Sequence, residues 1–149
     1  MLTDALLATL HHLLMFLLIA LLATELVLLR PEISAATLMR LTRIDGAYGA
    51  VAGLLLLAGG ARLMWGVKSA AFYAGNGWFW AKMALFAAIG LISILPTLRF
   101  IRWSRMRKAD AAWLPDAAAI LSTRRLVVLQ IALFTLIPFS AALMARGFG

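Results

Sequence analysis

Between Ala5 and Leu29 the chain reads ALLATLHHLLMFLLIALLATELVLL. A run of about 20 predominantly apolar residues is long enough to cross the hydrocarbon core of a bilayer as a helix. Three further runs of the same kind follow, at about 46–64, 78–98 and 126–144. Hydrophobic residues make up 64% of the chain, well above the roughly 45–50% of a soluble domain. Because the excess is gathered into runs, it predicts membrane spans and not one oversized core. The expected fold is an all-α integral membrane protein. It is a four-transmembrane-helix antiparallel bundle, one domain over residues 1–149.

Punctuation between the runs agrees with this division. Arg30-Pro31-Glu32 ends the first span, since proline cannot continue a helical hydrogen-bond ladder and disfavours helix in the residue before it. Ser34 is placed to cap a helix whose first turns, through Asp45, stand outside the second span. Trp65 opens a glycine-bearing connection through Gly75-Asn76-Gly77, and Trp78 and Trp80 suit a membrane interface. Pro96 can kink the third span near its far end. Pro115-Asp116 reads as the start of another helix, with proline in the first turn and an acid at the positive helix end. Met1–Asp4 offers no basic region of a signal peptide, so the first span is expected to stay in the membrane.

The net charge of +8 does not call for nucleic acid. Arg30, Arg40, Arg43, Arg99, Arg102, Arg105, Arg107, Lys108, Arg124 and Arg125 fall in the turns after spans one and three. The opposite side holds Arg62, Lys68 and Arg146, with Lys82 inside the third span. Basic loops stay in the cytoplasm, so this asymmetry predicts a multi-pass plasma-membrane protein with both termini outside. The lipid bilayer is the expected partner. The chain has no cysteine, which excludes disulfides, thiolate metal sites and iron–sulfur clusters.

Polar residues inside spans are costly and tend to face a bundle interior or a cavity. Asp4, His11, Leu18 and Glu25 recur one heptad apart and so form one stripe of the first helix, while His12 lies about 100° round. His11 and His12 sit at nearly the depth of Lys82, which makes these three the candidate cofactor-binding residues and the two imidazoles the candidate metal ligands. Neighbours on a helix point apart, so only one of the two imidazoles can serve a given iron. Neutral imidazole ligates haem iron, and a helical bundle can supply the apolar slot a porphyrin requires. Lys82 could be a second ligand, a partner to a propionate, or a side chain that snorkels to the headgroups. Glu25 belongs to the opposite end of the bundle, where Arg40, Arg43 and Asp45 complete a second polar cluster. There an ion pair between Glu25 and Arg40 or Arg43 is the expected arrangement. Gly49 and Gly53, with Gly46 and Ala50 beside them, form a small-residue face, expected to pack within the monomer; the other reading is a homo-oligomer face.

Two short motifs carry a resemblance. His12-Leu13-Leu14 in the first span and Trp78-Phe79-Trp80-Ala81-Lys82-Met83 opening the third resemble the HemJ-type protoporphyrinogen IX oxidases. A first-span His followed by Glu25 near the end of that span also resembles a family of small bacterial four-span membrane proteins. The oxidase resemblance implies haem b held with help from the first-span His and Lys82, a porphyrin ligand, and a redox role in the bacterial inner membrane. Two other readings stay open: a non-enzymatic oligomeric or accessory subunit, and a small proton-coupled carrier using Glu25 and His11.

Overall fold

A computed structural model describes residues 2–66 and 70–147. Lys68, counted above among the basic residues of the less basic side, lies outside the described residues. The helices are α1 (Leu2–Leu28), α2 (Ala35–Trp65), the single-turn α3 (Ala70–Ala74), α4 (Gly77–Ala109) and α5 (Ala117–Ala145). All four long helices are long and apolar enough to cross a membrane. α1 packs chiefly on α2 and α4 on α5, and α2–α4 and α1–α5 contacts close the ring. The result is a four-helix bundle, with α3 lying against α2 and α4 at the end that carries the termini.

The Ser34 and Asp116 caps fall where the sequence places them; the Asn76 cap lies in what the sequence reads as a connection. Ser34 accepts a bond from the Thr37 N–H at 3.2 Å, and Asp116 accepts from Ala119 at 2.7 Å. Asn76 accepts from the Trp78 and Phe79 amides and starts α4. Each satisfies a backbone donor that the first turn of a helix leaves without a partner. Three helices outrun the apolar runs that announce them, α5 by about nine residues at its start. α2 begins about ten residues before its span, and α4 carries on through the arginine-rich segment to Ala109.

The core is made by Leu18 and Leu22 of α1, Leu38, Leu41 and Leu55 of α2, Ile89 and Phe100 of α4, and Ile120, Val127 and Phe134 of α5. Outside it, large apolar side chains such as Leu6, Phe16, Leu57, Leu91 and Phe139 stand exposed around the bundle. So much exposed hydrocarbon is the surface of a protein whose solvent is lipid.

Two arginines fasten the arginine-rich end. α1 has no basic residue in its last turn. Arg124 reaches across from α5 instead, its guanidinium donating to the Leu26 carbonyl at 2.6 Å and the Leu29 carbonyl at 2.9 Å. A cation here both satisfies the last carbonyls and meets the negative end of the helix dipole. Arg99 of α4 donates to the hydroxyls of Ser122 and Thr123 at 2.9 Å each and ties α4 to α5.

The glycine face is a correction. Gly46, Gly49 and Gly53 are exposed, and a Cβ built on any of them meets nothing within 4 Å. α2 turns Leu41, Asp45, Tyr48 and Leu55 inward, and the glycines follow the inward residues by about 100°, which carries them out of the interior. They do not pack within the monomer. Gly53→Ala is therefore expected to stabilise the protein by about 0.5–1 kcal/mol, the helix-propensity gain with no steric cost. Arg124→Met should cost about 2–3 kcal/mol by stranding two carbonyls, against about 0.5 kcal/mol or less for the exposed neighbour Arg125→Met. Unfolding in detergent measures all three.

Candidate functional site

At the termini end a cleft opens among all five helices. It holds about 850 Å³ of space unfilled by protein, counted out to its mouth. His11 and Met15 line it from α1, Leu55, Gly59 and Arg62 from α2, and Tyr73 from α3. α4 contributes Phe79, Lys82, Met83 and Phe86, and α5 contributes Phe134, Ile137 and Met144. The walls are aliphatic, aromatic and thioether. The polar groups that reach it are one imidazole, one guanidinium, one ammonium and one phenol. Among the described residues no carboxylate lines it.

His11 reaches the cleft because α2 offers it a glycine. A Cβ on Gly59 would stand 3.4 Å from the ring's Cε1 and 3.8 Å from Nδ1, so any side chain here would cover the imidazole edge. Nδ1 is buried and has no hydrogen-bond partner. Arg62, a turn further along α2, likewise has its Nε buried without a partner. Lys82 turns into the cleft with its ammonium 5.3 Å above the Phe79 ring, a cation–π contact. Both cations lie within electrostatic reach of the imidazole.

Sequence reasoning names three residues for this site, and the structure brings two of them together. His12 is exposed on the outer face of α1, where its Nδ1 pairs with the Ala8 carbonyl at 2.6 Å. One residue of helical phase separates it from the cleft, so of the two imidazoles only His11 can act there. Arg62 and Gly59 are the residues that reasoning from the sequence missed. Arg62 was counted only as a topological charge. Its register with His11 follows from α1–α2 pairing, which no local pattern announces.

At the other end of the bundle the structure also regroups the polar residues. Glu25 and Asp45 are buried. Arg40 and Arg43 are exposed, and among the described residues no ion pair joins either to Glu25, contrary to expectation. The same phase explains it: Leu38, Leu41 and Asp45 face inward, and the two arginines fall on the open side. Asp45 instead accepts a bond from the Thr97 hydroxyl at 2.7 Å.

A porphyrin carrying iron can be tested against the cleft. An imidazole on the cleft wall, apolar lining, and two cations that no lining acid among the described residues neutralises fit an apolar macrocycle with acidic side arms. Met15, Met83 and Met144 add thioethers of the kind that serve as haem ligands. Clustered cations facing an apolar cleft without a counter-ion are a cost in the empty protein. Lys82→Met should accordingly raise stability by about 1–2 kcal/mol in thermal unfolding, as substitutions that relieve a functional site do.

Comparison with known proteins gives one match. The family model described as Predicted membrane protein (DUF2214) matches residues 3–149. No curated protein and no solved structure matches. The likeness to the oxidases therefore rests on its two short motifs. The family match spans nearly the whole chain and agrees with four membrane-capable helices: the protein belongs to the DUF2214 family of predicted membrane proteins.

Proposed function

We propose that the cleft is a binding site for an amphipathic anion with a flat apolar body, and that haem b is its occupant. One observation carries the reading: His11, Arg62 and Lys82 converge on one apolar cleft that no acidic residue among those described lines. A ligand with a hydrocarbon body and acidic arms supplies the missing negative charge and covers the aromatic walls in one step. His11, whose Nδ1 edge lies closed against Gly59, would have to turn its ring to present a nitrogen to the iron. Arg62 and Lys82 would hold the propionates, and Phe79, Phe86 and Phe134 would exclude water from the ligand's apolar body.

When bound, haem supplies one-electron chemistry to the membrane. What the chain contributes is orientation and charge. The cations sit on the α2 and α4 walls and His11 on the α1 wall, so acidic arms would be held by α2 and α4 and the imidazole would come from α1. Porphyrinogen oxidation is the redox role the motif resemblance favours. A bacterial inner-membrane location with both termini outside the cytoplasm accords with the distribution of arginine. A second reading, an oligomeric helper subunit, has support from the open glycine face of α2.

Absorption spectroscopy of the detergent-purified protein titrated with haem tests the first reading, with metal-free protoporphyrin IX followed by fluorescence as its companion. His11→Ala should abolish the imidazole-ligated Soret spectrum yet keep protoporphyrin binding, and His12→Ala should change neither. Arg62→Gln and Lys82→Gln should each weaken both ligands by about tenfold, the loss of about 1.4 kcal/mol from a charge-assisted contact. No Soret band with haem in excess removes the haem reading. A partner or dimer that Gly53→Leu disrupts, in a protein without chromophore, would favour the helper subunit.

A further inference from the structure

The groups at the other end of the bundle have no part in the cleft. Glu25 of α1 is only 1% exposed, and its Oε1 is buried without a hydrogen-bond partner. Asp45 of α2 is 7% exposed and close enough for the two carboxyl charges to interact. Tyr48, one turn on from Asp45, donates a long 3.4 Å bond to Gln130 Oε1 of α5 and feels both carboxyls. From α4, Thr97 donates to Asp45, and Ser93 faces the Tyr48 phenol. The neighbouring cations are committed elsewhere: Arg124 to the Leu26 and Leu29 carbonyls, Arg99 to Ser122 and Thr123. Two acids thus share one buried interior, and Glu25 Oε1 has no protein donor.

A buried carboxylate needs a counter-charge or a donor, and an uncompensated one costs several kcal/mol. A calcium or magnesium ion would take about six or more oxygens, and among the described residues no group of three or more His, Cys, Asp or Glu side chains gathers that could hold a metal ion. Asp45 Oδ1 accepts from Thr97, and Glu25 Oε1 has no donor. The smallest cation is what the geometry accommodates. We infer that Glu25 and Asp45 form a proton-binding site in the bundle interior, one proton adding to a carboxylate oxygen of the pair and leaving from it. Proton addition neutralises one of the two carboxyls and removes the repulsion between them. Loss of the proton returns a second negative charge to the same interior. The site stands whether or not the cleft holds haem.

Infrared spectroscopy of the full chain in lipid, taken through a pH titration, reads the proton directly. The expected result is a carboxylic-acid C=O band that disappears as pH rises, is lost in Glu25→Gln and is shifted or lost in Asp45→Asn. Glutamate carrying ¹³C in its side-chain carboxyl tests the wild-type protein without any substitution. Besides Glu25 the chain has only Glu32, exposed in the turn between α1 and α2, so an isotope shift of the buried-acid band reports Glu25. No acid band at any pH overturns the inference, as does a band that neither variant nor isotope moves. A band that sodium ions abolish at constant pH also overturns it, since the occupant is then a metal ion.

Discussion

In hydrocarbon a carbonyl or a charge has no water to turn to, and every polar group of this protein is placed under that constraint. The backbone meets it by going helical throughout the spans. Helix ends meet it with borrowed groups, and the end of α1 shows how far the borrowing reaches. Its last carbonyls are satisfied by Arg124, almost a hundred residues later in the chain. That contact joins the first helix to the last, on the side of the ring that no short connection closes. Packing alone would leave α1 and α5 free to slide; a guanidinium with two carbonyl acceptors sets their register.

The same constraint makes the two ends of the bundle unlike. At the arginine-rich end, the inward-reaching cations find carbonyls and hydroxyls, and the outward ones reach the membrane surface. At the termini end, Arg62 and Lys82 face an apolar cleft, and Arg62 has a buried nitrogen with no protein partner. Stability explains the first arrangement and does not explain the second. Folding alone would favour leucine or methionine at both positions, because desolvating a charge without a partner is among the costliest things a protein does. A ligand that brings the missing charge resolves the discrepancy.

Much of the fold could be read from the chain because its signals are local. Apolar runs give the spans, Ser34 and Asp116 mark helix starts, and the heptad from Asp4 to Glu25 gives α1 an inward stripe. What escaped depends on helical phase and on pairing. Gly46, Gly49 and Gly53 look like a packing face in the sequence, and only the inward turn of Asp45 and Tyr48 shows that they point away. Arg40 and Arg43 are near Glu25 in depth but not in azimuth. Gly59 and Arg62 join His11 because α2 runs beside α1, a relation that no spacing within either helix encodes.

One stripe of α1 ends in His11 at one side of the membrane and in Glu25 at the other. Fourteen residues at about 1.5 Å each set them about 21 Å apart along the helix. Between them lie Leu18 and Leu22, both buried in the centre of the core. On α1 these leucines separate the two sites, while Tyr48 of α2 and Gln130 of α5 carry the polar cluster about one turn from the carboxyl pair toward the cleft. The two sites also share α1 itself. Arg124 holds that helix at its Glu25 end, and Gly59 lets its imidazole end approach α2. A shift of α1 along its axis would be felt at both sites together.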